Sequence, residues 1–198
     1  MRAAVVVGGV NVGKSLLVVN FAAYCGQRGL RFQPLDRYAA SPRPWSLGEA
    51  RRQLVSAGPH AILAVQGVAV TLVGKGGPRT VRLWDTPGLV AGVAGDPAVR
   101  HAMADALAKV AQADLVLHVV DVARPNCWGE ADHAVAEWRA AATPYTVVAN
   151  QMDRPGAREG LKHLRRQAPG LPVVPVSALT QQGFASLRRA MAASLPVD

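Results

Sequence analysis

The stretch Gly8-Gly9-Val10-Asn11-Val12-Gly13-Lys14-Ser15 decides the fold of this chain of 198 residues. It fits the pattern G-x-x-x-x-G-K-[ST], in which backbone N–H groups wrap around a phosphate. Its context also fits, because an apolar strand, Ala3 to Val7, precedes it and an apolar helix follows it. We therefore predict that the loop binds phosphate, with Lys14 on the phosphate oxygens and Ser15 as a ligand of Mg²⁺.

Apolar runs alternate with helical segments along the rest of the chain. We predict strands at 3–7, 115–120, 145–149 and 173–176, a short strand at 30–35, and helices at 15–28, 46–55, 99–111, 130–142, 158–167 and 181–195. Two further strands, 60–73 and 80–84, flank Gly74-Lys75-Gly76-Gly77 and predict an antiparallel hairpin. This alternation predicts an α/β fold, a three-layer sandwich of the P-loop NTPase type. The expected sheet has about six mostly parallel strands and one antiparallel edge strand.

A second motif, Asp85-Thr86-Pro87-Gly88, follows the second strand of the hairpin. Alone it is only a turn signal. Downstream of a phosphate-binding loop, it predicts that Asp85 holds Mg²⁺ through a water molecule, as a Walker-B acid does. Gly88 leaves room for the backbone to approach a γ-phosphate. Lys14, Asp85 and Gly88 are the predicted catalytic residues.

A third motif, Asn150-Gln151-Met152-Asp153, follows another apolar strand. With these three motifs in this order, the chain resembles the Era/Der-like small GTPases of the translation-factor (TRAFAC) class over nearly its whole length. The resemblance implies a single G domain over residues 1–198 that binds GTP or GDP with Mg²⁺. It also implies that Asp153 accepts hydrogen bonds from the guanine base, with Asn150 beside it. Gln151 stands where the family has lysine, so we expect weaker binding with guanine selection retained.

The resemblance extends to Ser177-Ala178-Leu179, which is similar to the family's last base-binding element. It implies that the Ala178 N–H reaches guanine O6. The long interval between the first two motifs implies an insertion at about residues 30–58.

Two departures bear on hydrolysis. Leu89 occupies the position at which Ras-like proteins have a water-orienting glutamine. Some GTPases with an apolar residue there bind K⁺ through an asparagine in the phosphate-binding loop, and Asn11 matches that position. A local role of Asn11 in stabilising the loop is the equal alternative. The family's switch I threonine is also missing, because no threonine lies between Ser15 and Thr71. Ser56 or a backbone carbonyl could substitute for it, and a degenerate switch I is the third alternative.

Three hypotheses follow. The first is an enzyme that hydrolyses GTP to GDP and phosphate as a molecular switch. The second is a nucleotide-binding sensor or scaffold with a degenerate switch I and little hydrolysis. The third, an ATP-using relative or a member of the other P-loop GTPase branch, is disfavoured by the hairpin and by Asp153.

Charge, hydropathy and cysteine content indicate the partners and the compartment of the protein. The net charge of +9 is compatible with a ribosome, RNA or protein partner on a basic surface, although a solvated basic surface is the simpler interpretation. No apolar run is long enough to span a membrane, and the N-terminus does not resemble a signal peptide. Two isolated cysteines, Cys25 and Cys127, fit a reducing cytoplasm. We expect His118, Trp84 and Trp138 to be core residues. We also expect the helix at 99–111 to place Met103, Ala106, Leu107 and Val110 on one apolar face.

Overall fold

A computed structural model describes residues 1–31, 33–34, 44–55, 65–74, 77–89 and 95–195. The strands in these ranges are β1 (Ala3–Val7), β2 (Gly29–Arg31), β3 (Gln33–Pro34), β4 (Pro44–Ser46), β5 (Gln66–Gly74), β6 (Gly77–Asp85), β7 (Leu115–Asp121), β8 (Tyr145–Asn150) and β9 (Val173–Pro175). The helices are α1 (Lys14–Tyr24), α2 (Leu47–Val55), α3 (Pro97–Gln112), α4 (Glu130–Arg139), α5 (Ala157–Gln167) and α6 (Phe184–Ser194).

The main sheet has the strand order β3-β5-β6-β1-β7-β8-β9. The five strands from β6 to β9 in this order are parallel, and β5 pairs antiparallel with β6 as one arm of the hairpin. The six predicted strands and the α/β sandwich are therefore confirmed. The two-residue β3 adds a short antiparallel pairing outside β5. Residues 60–64 and the turn residues 75–76 of the predicted hairpin lie outside the described residues.

Both faces of the sheet are covered, because side chains of a strand alternate between faces. In β1, Ala4 and Val6 face a core formed with α1 and α6, whereas Val5 and Val7 face a core formed with α3, α4 and α5. The parallel strands β7 and β8 are buried along their whole length. This arrangement brings the carboxyl ends of the parallel strands to one edge, where ligands bind in open α/β sheets.

The described part of segment 30–58 forms a two-stranded sheet of β2 and β4, followed by α2. Helix α2 begins with the predicted capping box: the Ser46 Oγ accepts from the Glu49 N–H at 3.2 Å, and the Glu49 Oε2 accepts from the Ser46 N–H at 2.9 Å. Arg51 Nε donates to Asn20 Oδ1 at 2.8 Å and ties α2 to α1. That this segment is an insertion remains a prediction, and Ser56 lies outside the described residues.

Two predictions between the phosphate-binding loop and residue 35 are wrong. Helix α1 ends at Tyr24 rather than near residue 28, because Gly26 adopts a left-handed conformation with φ of +92°. The N–H of Gly26 donates to Ala23 O and the N–H of Gln27 to Ala22 O, the bond pair of a Schellman motif. The predicted strand at 30–35 is instead divided between β2 and β3, which belong to different sheets.

The inward faces of α3 and α4 also differ from prediction. In α3 the fully buried residues are Ala102, Ala106 and Val110, whereas Leu107 is 36% exposed. In α4, Trp138 is 47% exposed beneath the Arg139 guanidinium, so it is not a core residue. Both predictions are wrong because the size and apolar character of a side chain do not show which side chains of a helix lie nearest the sheet. In α3 the small alanines occupy that position. None of the described helices has the length and apolar character needed to cross a membrane.

Candidate functional site

The phosphate-binding loop, residues 8–15, joins β1 to α1 and requires glycine at two positions. Gly8 has a φ of +142° and Gly13 a φ of +94°, a region that side chains other than hydrogen disfavour. A Cβ at Gly8 would lie 2.1 Å from Val119 O, and a Cβ at Gly13 would lie 2.5 Å from Asn150 Nδ2. The loop therefore lies directly against the ends of β7 and β8.

Lys14, the first residue of α1, folds back over this loop. Its Nζ donates to Gly8 O at 3.1 Å and to Gly9 O at 2.6 Å. The side chain is buried, and this burial lowers the pKa of Lys14 to about 8, although the negative charge of Asp85 opposes the shift. A desolvated cation held only by carbonyl dipoles is a favourable site for a more strongly negative group such as a phosphate.

Asp85, at the end of β6, is completely buried, and neither of its carboxylate oxygens has a hydrogen-bond partner of ordinary geometry. Burial raises its pKa to about 6, while the nearby Ser15 hydroxyl, the Lys14 charge and the Gln66 side chain partly offset that effect. A fully buried carboxylate beside a hydroxyl fits a hard cation such as Mg²⁺. Within the described residues, no group of three or more Asp, Glu, His or Cys side chains is arranged to hold a metal ion. An ion at this position would therefore take most of its ligands from phosphate and water.

Asn150 joins the third motif to the other loops. Its Nδ2 donates to Val12 O at 2.8 Å, and its Oδ1 accepts from the Ala178 N–H at 2.9 Å. The N–H that is predicted to reach guanine O6 therefore donates to Asn150 in this structure, and its role toward guanine stays a prediction. The Ser177 hydroxyl donates to Asp153 Oδ1 at 2.5 Å and orients that carboxylate. Asn150, Asp153, Ser177 and Ala178 thus lie together, next to the phosphate-binding loop.

Gln151 adopts a left-handed conformation with φ of +68°, which is uncommon for a residue other than glycine or asparagine. Its side-chain Oε1 is buried without a hydrogen-bond partner. Gln151 is therefore held in a strained conformation at the edge of the site, at the position where the Era/Der-like family has lysine.

Comparison with known proteins places this site in a family. Residues 47–151, more than half of the chain, match the family described as 50S ribosome-binding GTPase. The chain belongs to this GTPase family. The match begins after the phosphate-binding loop, so the loop's geometry is independent support, and the resemblance to small GTPases of the translation-factor class is confirmed.

Individual relatives of this GTPase agree with that assignment. GTPase Obg of Listeria innocua is 29% identical over 133 residues, which make up 63% of this chain and 30% of that protein. This GTPase therefore spans about a third of the length of the Obg proteins that it matches. An Aquifex aeolicus Era variant bound to GDP and AlF4⁻ superimposes with a TM-score of 0.69 at 20% identity, covering 100% of this chain and 58% of Era. Era bound to MgGDPNP and a segment of 16S ribosomal RNA gives 0.65 at 22% identity, covering 100% and 57%.

The second motif of this GTPase packs against its phosphate-binding loop. The Leu89 N–H donates to Gly8 O at 3.0 Å, and Leu89 forms an isolated parallel bridge with Gly9. A Cβ at Gly88 would lie 2.6 Å from Val10 Cγ2, so only glycine allows this approach. Leu89 is 7% exposed. Its buried apolar side chain cannot orient a water molecule.

His118 of this GTPase is a core residue, as predicted. It is fully buried in β7 between two polar partners, with its Nδ1 2.5 Å from Tyr145 Oη and its Nε2 2.7 Å from Asp132 Oδ1. Asp132 also accepts from the Gly129 N–H at the start of α4. The histidine therefore attaches α4 to the sheet. Trp84, by contrast, is only partly buried, with the Lys109 Nζ 4.4 Å from its ring centroid.

Sequence reasoning missed three polar residues at this edge of the sheet. Thr86 Oγ1 donates to Val6 O at 2.7 Å and fixes the start of the second motif on β1. Asp121 ends β7 as a buried carboxylate, and Arg124 follows in the next turn. Asp121 and Arg124 could have been predicted from the sequence, because polar residues directly after an apolar strand of a parallel sheet lie at the ligand-binding edge.

Replacing Asp85 by asparagine is expected to stabilise the nucleotide-free protein at neutral pH. The pKa of Asp85 is raised to about 6, so its favourable contribution is complete below the ordinary value and is lost as the pH rises through about 6. Above that pH the ionised carboxylate costs about 3 kcal/mol, which corresponds to roughly 9 °C in Tm. Thermal unfolding at pH 4 and pH 7.5 measures the effect, because the cost accumulates between the ordinary pKa of 3.8 and about 6. The gain should appear mainly at pH 7.5 and should be absent for the exposed Glu137→Gln, and a Tm below that of the unaltered protein at both pH values would contradict it.

Proposed function

We propose that this chain binds GTP and GDP with Mg²⁺ and hydrolyses GTP as a molecular switch. One observation carries the proposal: the fully buried Asp85 carboxylate stands beside the Ser15 hydroxyl and the desolvated Lys14 cation. Opposite charges at the start of a helix and the end of a strand are suited to a Mg²⁺-bound phosphate.

The proposed roles follow from these positions. Lys14 leaves the carbonyls of Gly8 and Gly9 and stabilises the negative charge that develops on the transferred phosphoryl group. Ser15 and Asp85 would hold Mg²⁺, which neutralises charge on the phosphate oxygens when it is bound. The Gly88 backbone lies close enough to the loop to approach the γ-phosphate. Since Leu89 cannot orient the attacking water, backbone groups must do so, and hydrolysis is expected to be slow without an activator.

Guanine selection is proposed to rest on Asp153. Its carboxylate would accept from the N1–H and the amino group of guanine, donors that adenine does not present in the same arrangement. The hydrogen bond from Ser177 supports this role, because it fixes the carboxylate before the base arrives. Asn150 joins the base-binding and phosphate-binding segments through its bonds to Val12 and Ala178.

Potassium is the proposed activating ion. Asn11 has an exposed side chain and a left-handed backbone, with φ of +60°, at the outer tip of the loop. A K⁺ ion held there would add positive charge next to the phosphates.

Phosphate release from GTP, measured with Mg²⁺ in KCl and in NaCl, tests both proposals. We expect turnover in KCl that falls at least about tenfold in NaCl. Equal turnover in the two salts would retain the GTPase and reject the K⁺ site. Tight GDP binding without turnover in either salt would favour the sensor, a second candidate supported by the buried Leu89 and by the lack of a threonine between Ser15 and Thr71.

A basic surface is the proposed site for a partner, which we expect to be a ribosome, an RNA or a protein. Helix α5 supplies a concentration of exposed basic residues, Arg158, Lys162, Arg165 and Arg166. The net charge of +9 and the Era complex with ribosomal RNA support this proposal. The reducing cytoplasm remains the expected compartment.

A further inference from the structure

Arg124, in the turn after β7, contacts the phosphate-binding loop from outside. Its Nη1 lies 3.2 Å from Val10 O and its Nη2 lies 3.2 Å from Asn11 O. The two bonds are formed by one planar group, which can engage two acceptors at once only in a fixed orientation. Val10 and Asn11 form the tip of the loop, so the arginine holds the part that is farthest from α1.

Asp121 orients this guanidinium. It is 1% exposed at the end of β7, and its Oδ2 lies 2.9 Å from Arg124 Nε. Its other oxygen, Oδ1, accepts from the Ala123 N–H at 3.0 Å. The carboxylate is thereby fixed to the strand and its turn, and its ion pair with the guanidinium restricts the orientation of the arginine. The contact therefore links β7 to the loop over more than a hundred residues of sequence.

The carbonyl groups of the loop accept hydrogen bonds from different donors. These donors differ in whether they must move for phosphate to bind. Lys14 Nζ donates to Gly8 O and Gly9 O, and it must leave both to reach a phosphate. Asn150 holds Val12 O at 2.8 Å and the Leu17 N–H holds Gly13 O at 2.9 Å. These two bonds and those of Arg124 do not involve Lys14, so its movement toward a phosphate does not require them to break.

The tip has a particular need for such a donor. Asn11 has a φ of +60°, a left-handed conformation that an L-residue adopts at an energetic cost. When carbonyls point outward, the N–H groups of the same peptides point toward the phosphate-binding side. Donors on the Val10 and Asn11 carbonyls therefore stabilise the conformation that presents N–H groups to phosphate.

We propose that Arg124, oriented by Asp121, is a positioning residue that holds the tip of the loop in its phosphate-binding conformation and thereby sets nucleotide affinity. This inference rests on the proposed nucleotide-binding function. Arg124 does not touch the phosphates; it acts through Val10 and Asn11. Its loss should raise the Kd for nucleotide and the KM for GTP, and should change kcat much less.

Binding of a fluorescent N-methylanthraniloyl derivative of GDP to the full chain tests the proposal, at a temperature where all variants are folded. Arg124→Ala is expected to weaken binding by about 10-fold to 100-fold, since two charge-assisted hydrogen bonds are lost. Arg124→Lys should recover part of the affinity, because an ammonium group can replace one of them. Arg154→Ala is the matched control, because this exposed arginine approaches the same Asp121 oxygen at 3.9 Å and should leave the Kd within about twofold.

A double variant tests whether Asp121 acts through the arginine. If it does, adding Asp121→Asn to Arg124→Ala should weaken binding no further, because coupled residues are not additive. An unchanged Kd for Arg124→Ala would overturn the inference, and so would an equal loss for Arg154→Ala, which would indicate a general effect of charge. These outcomes differ from failure of the unaltered protein to bind the GDP derivative, which would overturn the proposed function and this inference with it.

Discussion

Replacement of Lys14 by alanine is expected to abolish GTP turnover and to weaken GDP binding by roughly 100-fold or more, since a charge-assisted contact to phosphate is lost from a desolvated site. The side chain is 7% exposed, and its charge is stabilised by loop carbonyls and by the negative charges of Asp85 and Asp132. Isothermal titration with GDP and an assay of phosphate release measure the two effects. Lys162→Ala removes the same charge from an exposed position on α5 and should alter neither.

The pH dependence of binding distinguishes a direct role of Lys14 from a loss of folding. The pKa of Lys14 is lowered to about 8 by burial, so its cation is lost as the pH rises through that value. The pKa of Asp85 is raised to about 6, so the ionised form needed for Mg²⁺ is lost as the pH falls through that value. Affinity for Mg²⁺-GDP should therefore be greatest between about 6 and 8, with declines of up to about tenfold per pH unit on either side. Lys14→Ala should remove the alkaline decline only, and an unchanged alkaline decline in this variant would contradict the assignment.

Replacement of Asp153 by asparagine is expected to change the preferred base from guanine to xanthine. Xanthine has a carbonyl where guanine has its amino group, so it accepts a hydrogen bond at the position where guanine donates one. An asparagine amide can donate to that carbonyl, whereas the aspartate carboxylate can only accept. We expect the ratio of GDP to XDP affinities to fall by a factor of roughly 10² to 10⁴, because the wrong base leaves one or two polar groups unpaired.

Competition of GDP and XDP for the same site measures that ratio. Ser177→Ala provides the control, because it removes the 2.5 Å hydrogen bond to Asp153 while leaving the carboxylate in place. That variant should bind GDP more weakly but keep the preference for guanine. If Asp153→Asn bound GDP and XDP in the same ratio as the unaltered protein, Asp153 would not be the residue that reads the base.

The elements with the strongest local signals were predicted correctly. The phosphate-binding loop lies between β1 and α1 as expected. The prediction was correct because its signals, glycines at fixed positions and a preceding apolar strand, depend only on residues that are neighbours in the sequence. The capping box at Ser46 and Glu49 is present for the same reason. The end of α1 was wrong because two glycines, Gly26 and Gly29, both suited a helix terminus, and only the observed hydrogen bonds select between them.

The burial of individual side chains was less predictable. Trp138 and Leu107 are apolar and lie at helical spacing from other apolar residues, but both are exposed. Helix periodicity defines a face, whereas the side chain that fills a given space depends on how closely the helix approaches the sheet. In α3 that approach is close enough for Ala102 and Ala106 to form the buried stripe.

The sequence by itself determined the family, the order of the motifs and the residue types available for phosphate, Mg²⁺ and guanine. These features are local, because each motif is a short run of residues at the end of a strand. Only the tertiary structure decided which donors serve which acceptors: Asn150 holds Val12 O across 138 residues, and Arg124 holds Val10 O across 114. It also assigned the Ala178 N–H to Asn150 and buried the Asp85 carboxylate completely beside Lys14. The physical reason is that hydrogen bonding and desolvation depend on distances of a few ångströms between distant segments, which no single segment encodes.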